Sequence, residues 1–383
     1  MATVDSSVLA GFVGSPDDGP VLDGRLTQSK ARSLVECAVL SYKGRADVKR
    51  ALEPDKANLE RFEWFEAVSH WVDSQAFACV VPGHVILAFR GTKELRDFLT
   101  DALTVKRRLR DFDGSESDDL GSVHCGFQRA LNALWSDQRS ARRKAVRTIG
   151  PPIEVFLKEL ADKHPTSQLW LTGHSLGAAL ATVTAARIQL SNGAPFKGRI
   201  GALVTIGSPR VLDNKGADLL REALGSDKIF RIHRSIDPVP AVPYSGFRHV
   251  SGRKAFVTNQ GRLVMGARKS RRWAERSAAF LLALEDSVGS ALPGGHRGFG
   301  RFVSDHASED YLIAVEKYAA ENRLRLRDSV GPIAVPLLKL VGLGAVGWSA
   351  ADTTGVTSLA IEAAAASAGL LRTGAETLLA LLL

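Results

Sequence analysis

The chain has 383 residues and only three cysteines, Cys37, Cys79 and Cys125. Three thiols are too few for a disulfide framework, and their spacing matches no metal-binding pattern. Their neighbours read as helix or strand interiors, so buried thiols are expected and no metal or organic cofactor. The amino terminus, Met1-Ala2-Thr3-Val4-Asp5, lacks the positive start of a secretion signal, and the apolar stretch after it is too short for one. A cytoplasmic location is therefore expected. Val335 to Ala350 contains Pro336, Lys339 and several glycines, and Thr357 to Leu371 is short and holds Glu362, so neither reads as a convincing membrane span, which needs roughly 20 mainly apolar residues. Repeats at solenoid or propeller spacing are absent. No linker rich in Pro, Gly or Ser divides the alternating strands and helices between Phe62 and Tyr318, which argues for one large domain.

What the chain has in excess is positive charge, +9 overall. It gathers in Lys106-Arg107-Arg108-Leu109-Arg110, in Arg139 to Arg147 and in Arg268 to Arg276. No nucleic-acid module accompanies these clusters. They read either as a solvated face or as an attraction to anionic lipid headgroups, worth about 1 kcal/mol per basic residue near a charged membrane. The third leads into Trp273, Phe280, Leu281 and Leu284, a pattern fit for a basic helix lying on a membrane.

The sharpest signal is Gly173-His174-Ser175-Leu176-Gly177. Gln168 to Thr172 before it has the bulk of a buried strand, and Ala178 to Leu190 after it is strongly helix-forming. A serine at such a strand-to-helix turn sits on a sharp bend with its hydroxyl presented outward. The following helix aims N–H groups and its dipole at any oxyanion formed there. A serine hydroxyl needs a base, and the base a carboxylate to orient it. Asp237 follows a predicted strand, Lys228 to His233, beyond whose carboxyl end active-site groups gather in open parallel sheets. Of the later histidines, His249 is expected to enter a strand and His296 to sit in a glycine-rich loop. His306 directly precedes a helical run, which would hold it rigidly. His306 is the preferred base and His296 the fallback, with His174 expected to pack behind the serine.

Two donors must face the developing oxyanion. One is the N–H of Leu176. The other is expected in the loop after the strand His84 to Phe89, at Thr92, where Gly91 permits close backbone approach. Beyond it, Leu95, Phe98, Leu99, Ala102 and Leu103 recur at helical spacing on one side. This is either a surface helix covering the sheet or a lid over the serine.

The segments Phe89-Arg90-Gly91-Thr92, Val123 to Phe127, Gly173 to Gly177, Gly207-Ser208-Pro209-Arg210 and Asp305-His306 together resemble the fungal-type class 3 lipases, in that family's order. The resemblance implies an α/β-hydrolase fold: a mostly parallel central sheet flanked by helices. It also implies a Ser175–His306–Asp237 triad, Thr92 and Leu176 at the oxyanion hole, and hydrolysis of acylglycerols or related esters. Phospholipase A or small-ester hydrolysis is the alternative within enzymes. Outside them, the alternative is an inactive lipid- or protein-binding scaffold. The expected organisation is a flexible extension over 1–24, a hydrolase domain over 25–330 with a helical insertion near 267–300, and an apolar, helical tail over 331–383. That tail carries charge only at Lys339, Asp352, Glu362, Arg372 and Glu376. The partners expected are a lipid ester and an anionic membrane surface; the oligomeric state stays open.

Overall fold

The computed structural model describes residues 7–13, 21–23, 26–69, 72–91, 105–116, 118–135, 147–234, 237, 239–243, 246–257, 263–265 and 307–317. The 267–300 insertion, the 331–383 tail and the five residues Leu95, Phe98, Leu99, Ala102 and Leu103 lie outside this set.

In chain order the strands are β1 (Val21–Asp23), β2 (Leu26–Thr27), β3 (Arg61–Ser69), β4 (Val72–Val81), β5 (His84–Phe89), β6 (Lys106–Arg108) and β7 (Ser122–His124). They continue with β8 (Arg147–Ile149), β9 (Gln168–His174), β10 (Ile200–Ile206), β11 (Ile229–Arg234), β12 (Arg253–Val257) and β13 (Leu263–Met265). The helices are α1 (Ala10–Val13), α2 (Gln28–Leu40), α3 (Arg45–Ala51), α4 (Cys125–Trp135), α5 (Ile153–Lys163), α6 (Leu176–Leu190) and α7 (Asn214–Leu224), followed by α8 over 308–317.

Among the described residues, nine strands make one sheet in the order β13-β12-β11-β10-β9-β5-β4-β3-β8. Its centre, β5-β9-β10-β11-β12, is parallel throughout, and antiparallel strands extend both edges. A parallel strand covered on both faces reads as an unbroken apolar run, as β10 does with Ile-Gly-Ala-Leu-Val-Thr-Ile. Side chains alternate across the pleat. Ile200 and Leu203 of β10, Leu169 and Leu171 of β9, and Val85, Leu87 and Phe89 of β5 join one core with α4 to α7. Val204, Ile206, Trp170, Ile86 and Ala88 join the other, with α1, α2 and α8. The result is the helix–sheet–helix sandwich the sequence predicts.

Residues 7–13, within the stretch read as a flexible extension, are packed instead. Val8, Leu9 and Phe12 are buried, and the buried carboxylate of Asp55 accepts hydrogen bonds from the N–H groups of Val8 and Leu9. An aspartate 46 residues away in sequence supplies this cap, so no local pattern announces it.

Candidate active site

Ser175 stands one residue past β9 and opens α6, with φ 59° and ψ −125°. That region is unfavourable for a residue with a Cβ and costs on the order of 1–3 kcal/mol, which the surrounding structure must hold in place. It does so through close backbone packing. The Ser175 N–H donates to the Ile206 carbonyl at 2.9 Å, extending the β9–β10 ladder into the turn. A Cβ on Gly173 would lie 2.8 Å from the Ala178 nitrogen, and one on Gly177 2.8 Å from the Phe89 carbonyl carbon. Only glycine fits at either position. The Ser175 side chain is 1% exposed, and its Oγ has no hydrogen-bond partner among the described residues. The N–H of Leu176 opens the helix and has no carbonyl within it to bond.

The chain passes from β5 through Arg90 to Gly91 directly against this elbow. A Cβ on Gly91 would overlap the Tyr42 hydroxyl and come within 2.7 Å of the His174 carbonyl oxygen. Arg90 is buried; its guanidinium pairs with Asp73 and donates to Gln75 Oε1 at 2.6 Å, tying the loop to the start of β4. Thr92 lies outside the described residues.

His174 does pack behind the serine. Its Nδ1 is 2.7 Å from the Tyr42 hydroxyl, and its ring lies between those of Tyr42 and Tyr311, at 5.7 and 5.8 Å. Tyr42 reaches it from the end of α2. That helix is anchored by Thr172 Oγ1 donating to the Leu34 carbonyl and by Ser41 Oγ donating to the Phe89 carbonyl. Burial above all raises the Tyr42 pKa, so its hydroxyl keeps its proton.

Asp237 lies three positions past β11 and is 5% exposed. Its Oδ1 accepts the Val239 N–H at 2.9 Å and its Oδ2 accepts the Tyr311 hydroxyl at 2.6 Å. The same hydroxyl oxygen accepts the Arg234 N–H at 2.9 Å, which polarises the O–H toward the carboxylate. Burial first, and then the charge of Asp237, push the Tyr311 pKa well up. Tyr311 belongs to α8, and Arg234 binds the same helix through an ion pair to Asp310 at 2.6 Å.

His306 and His296 lie outside the described residues; α8 begins two positions after His306. His249 does not enter a strand: it precedes β12, and its Nε2 donates to the Pro240 carbonyl at 2.8 Å. Burial, aided by the charges of Arg231 and His233, pushes its pKa well down and keeps it neutral. Cys37, Cys79 and Cys125 are free thiols, the first two buried. Among the described residues no group of His, Cys, Asp and Glu has the arrangement of a metal site.

Ser175 and Asp237 thus stand past the carboxyl ends of β9 and β11, with β10 between them. Tyr311 links the two ends by touching His174 with its ring and Asp237 with its hydroxyl. Sequence reasoning missed Tyr311, Tyr42 and Arg90. Tyr311 follows His306 by five positions on a predicted helix, so its side of that helix was the available signal. Tyr42 gave none, because its partner His174 lies far away in the chain; Arg90 stands in the segment Phe89-Arg90-Gly91-Thr92, but nothing in that segment points to Asp73 and Gln75 as its partners.

Residues 86–247 match the family described as Lipase (class 3). The chain is 29% identical over 175 residues to secreted mono- and diacylglycerol lipase 1 of Fusarium solani, covering 44% of this chain and 46% of that protein. It is 31% identical over 169 residues to secreted mono- and diacylglycerol lipase A of Penicillium cyclopium, covering 44% and 46%. It is also similar to the solved structure of Rhizomucor miehei triacylglyceride lipase, at TM-score 0.43 and 20% identity, over 60% of this chain and 79% of that one. The chain spans about half the length of the curated relatives it matches. The family match takes in β9, the serine elbow, α6 and Asp237.

Proposed function

We propose that this protein hydrolyses carboxylic esters of lipids, acylglycerols foremost, with Ser175 as nucleophile, His306 as base and Asp237 as the carboxylate that orients it. The observation that carries this reading is the Ser175 hydroxyl, held on a strained turn without a hydrogen-bond partner among the described residues, one strand from a doubly hydrogen-bonded buried aspartate. A backbone in that conformation persists only where its surroundings over-determine it, which is characteristic of functional sites.

In the reaction, Ser175 Oγ bonds to the acyl carbonyl carbon while His306 takes the hydroxyl proton. Asp237 stays ionised and stabilises the imidazolium. The N–H groups of Leu176 and Thr92 hold the oxyanion. Collapse breaks the C–O bond to the alcohol, which leaves with the proton from His306. A water, deprotonated by the same histidine, then bonds to the acyl carbon; the C–Oγ bond breaks, the fatty acid leaves, and His306 returns the proton to Ser175 Oγ. The named activities of the Fusarium and Penicillium relatives support the choice of acylglycerols. An anionic membrane surface is the proposed setting for the substrate.

Replacing Ser175 with Ala tests the reading. Turnover of mono-, di- and triacylglycerols, and labelling by a fluorophosphonate probe, are expected to disappear, with kcat falling at least about 10³-fold. Undiminished turnover in a correctly folded variant removes the proposal. Faster cleavage of phosphatidylcholine than of any acylglycerol would move the substrate class to phospholipids.

A further inference from the structure

The ribbon of β6 and β7 supplies a surface that the hydrolytic reading does not use. Lys106, Arg107 and Arg108 are all exposed, and Val105 just before them is 44% exposed. Among the described residues no carboxylate pairs with Lys106 or Arg107; the Lys106 ammonium lies 5.8 Å over the Phe247 ring. The ribbon is fixed at the end of the molecule where Ser175 and Asp237 stand. The His124 N–H donates to the Val211 carbonyl and the Asp213 N–H to the Ser122 carbonyl. Residues 211 and 213 lie just past the carboxyl end of β10.

From there the chain descends along α4. The Cys125 N–H at the start of that helix donates to the Val105 carbonyl, and Trp135 Nε1 at its end donates to the Phe112 carbonyl. Eleven helical residues span about 16 Å. At the lower end, the Phe112 N–H donates to Ser191 Oγ, past the far end of the helix that Ser175 opens. There the turn carries Asp111, Asp113 and Glu116, with Glu116 paired to Arg110. The segment is thus basic and partly apolar beside the site, and of mixed charge at the far end, where Arg110 and Lys158 stand among the carboxylates.

From this exposed basic edge, fixed at the serine end, we infer that the stretch from Val105 to Arg108 docks on an anionic lipid surface and turns that end of the molecule toward it. The basic end is drawn to phosphate headgroups, whereas the far turn, about 16 Å away, lies beyond the Debye length, so the attraction acts at the serine end alone. Val105 enters the headgroup region beside the basic side chains. The inference rests on a lipid substrate, and it concerns binding rather than turnover.

The test uses the full chain and vesicles of phosphatidylcholine, with and without phosphatidylglycerol, read by co-sedimentation. The unaltered chain is expected to bind the anionic vesicles preferentially, and to be released by added salt. The double variant Lys106→Glu/Arg107→Glu is expected to lose at least about ten-fold in partitioning, while hydrolysing a soluble short-chain ester at the original rate. Reversing the far end with Asp113→Lys should leave partitioning within about two-fold of the original, since its distance exceeds the Debye length. Equal binding to both vesicle types, unchanged partitioning of the double variant, or tighter binding to duplex DNA than to the anionic vesicles would each overturn the inference. Ser175→Ala separates the two proposals: it should lose turnover and keep vesicle binding.

Discussion

At the scale of single residues, Tyr311 presents a hydroxyl that accepts one backbone N–H and donates to one carboxylate oxygen. On the proposed mechanism this hydroxyl positions Asp237 and shares its charge. Tyr311→Phe keeps the ring against His174 but removes the donor. The expected result is a kcat lowered about ten-fold with KM little changed, since the loss falls on the transition state. The acid limb of the kcat/KM profile should also move to higher pH. A carboxylate that has lost its donor holds the neighbouring imidazolium more strongly and raises its pKa. Both parameters unchanged would assign Tyr311 to packing alone. Ser175 itself yields a stability prediction. At φ 59° a glycine is unstrained and an alanine is not, so Ser175→Gly should be more stable than Ser175→Ala by about 1 kcal/mol in urea denaturation.

At the scale of elements, the turn from β9 to α6 is set by how closely α6 approaches the end of β5. Gly177 lets the helix backbone rest on the Phe89 carbonyl. A methyl group there meets the rigid backbone of Phe89 and Arg90, not a flexible side chain that could yield. Gly177→Ala is therefore expected to cost about 3 kcal/mol in urea denaturation, at the upper end for overpacking. Activity should fall with it, because the serine rides on the first turn of the displaced helix. A loss under about 0.5 kcal/mol would show that α6 can shift freely. That α6 exists was legible from Ala178 to Leu190, and that a serine precedes it was plain. Its contact with Phe89, some ninety positions upstream, was not: glycine is equally at home in an ordinary turn.

At the scale of the whole molecule, α2 and α8 cover the same sheet face from distant parts of the chain. Arg32 of α2 lies 3.6 Å from Glu36 and 3.4 Å from Glu316 of α8. Burial raises the Glu36 pKa from 4.5 to about 7; Arg32 opposes the rise, and Glu316 and Asp55 add to it. The folded chain therefore keeps a proton that the unfolded chain releases between about pH 4.5 and 7. Stability should fall as pH climbs through that window and level off above it. Glu36→Gln cannot ionise, so its Tm should exceed that of the unaltered chain by a few degrees at pH 8, with the gap closing toward pH 4.5. Equal gaps at both ends, measured by calorimetry, would contradict the assignment.

Two kinds of information separate along these scales. The strands β5, β9 and β11, the helix after β9 and the serine elbow could be read directly, because hydrophobic runs, helix formers and paired glycines act between near neighbours. The preference for Asp237 rested on its position past a strand, and that too is local. What the tertiary structure alone decided is who meets whom across the sheet. It brought Tyr42 to His174, Tyr311 to Asp237, and Asp55 to the backbone of Val8 and Leu9. It also kept His249 out of a strand and aimed its Nε2–H at the Pro240 carbonyl, which accepts the hydrogen bond. Such pairings are set by the packing of whole helices against a twisted sheet, a sum of many weak contacts that no short stretch of chain encodes.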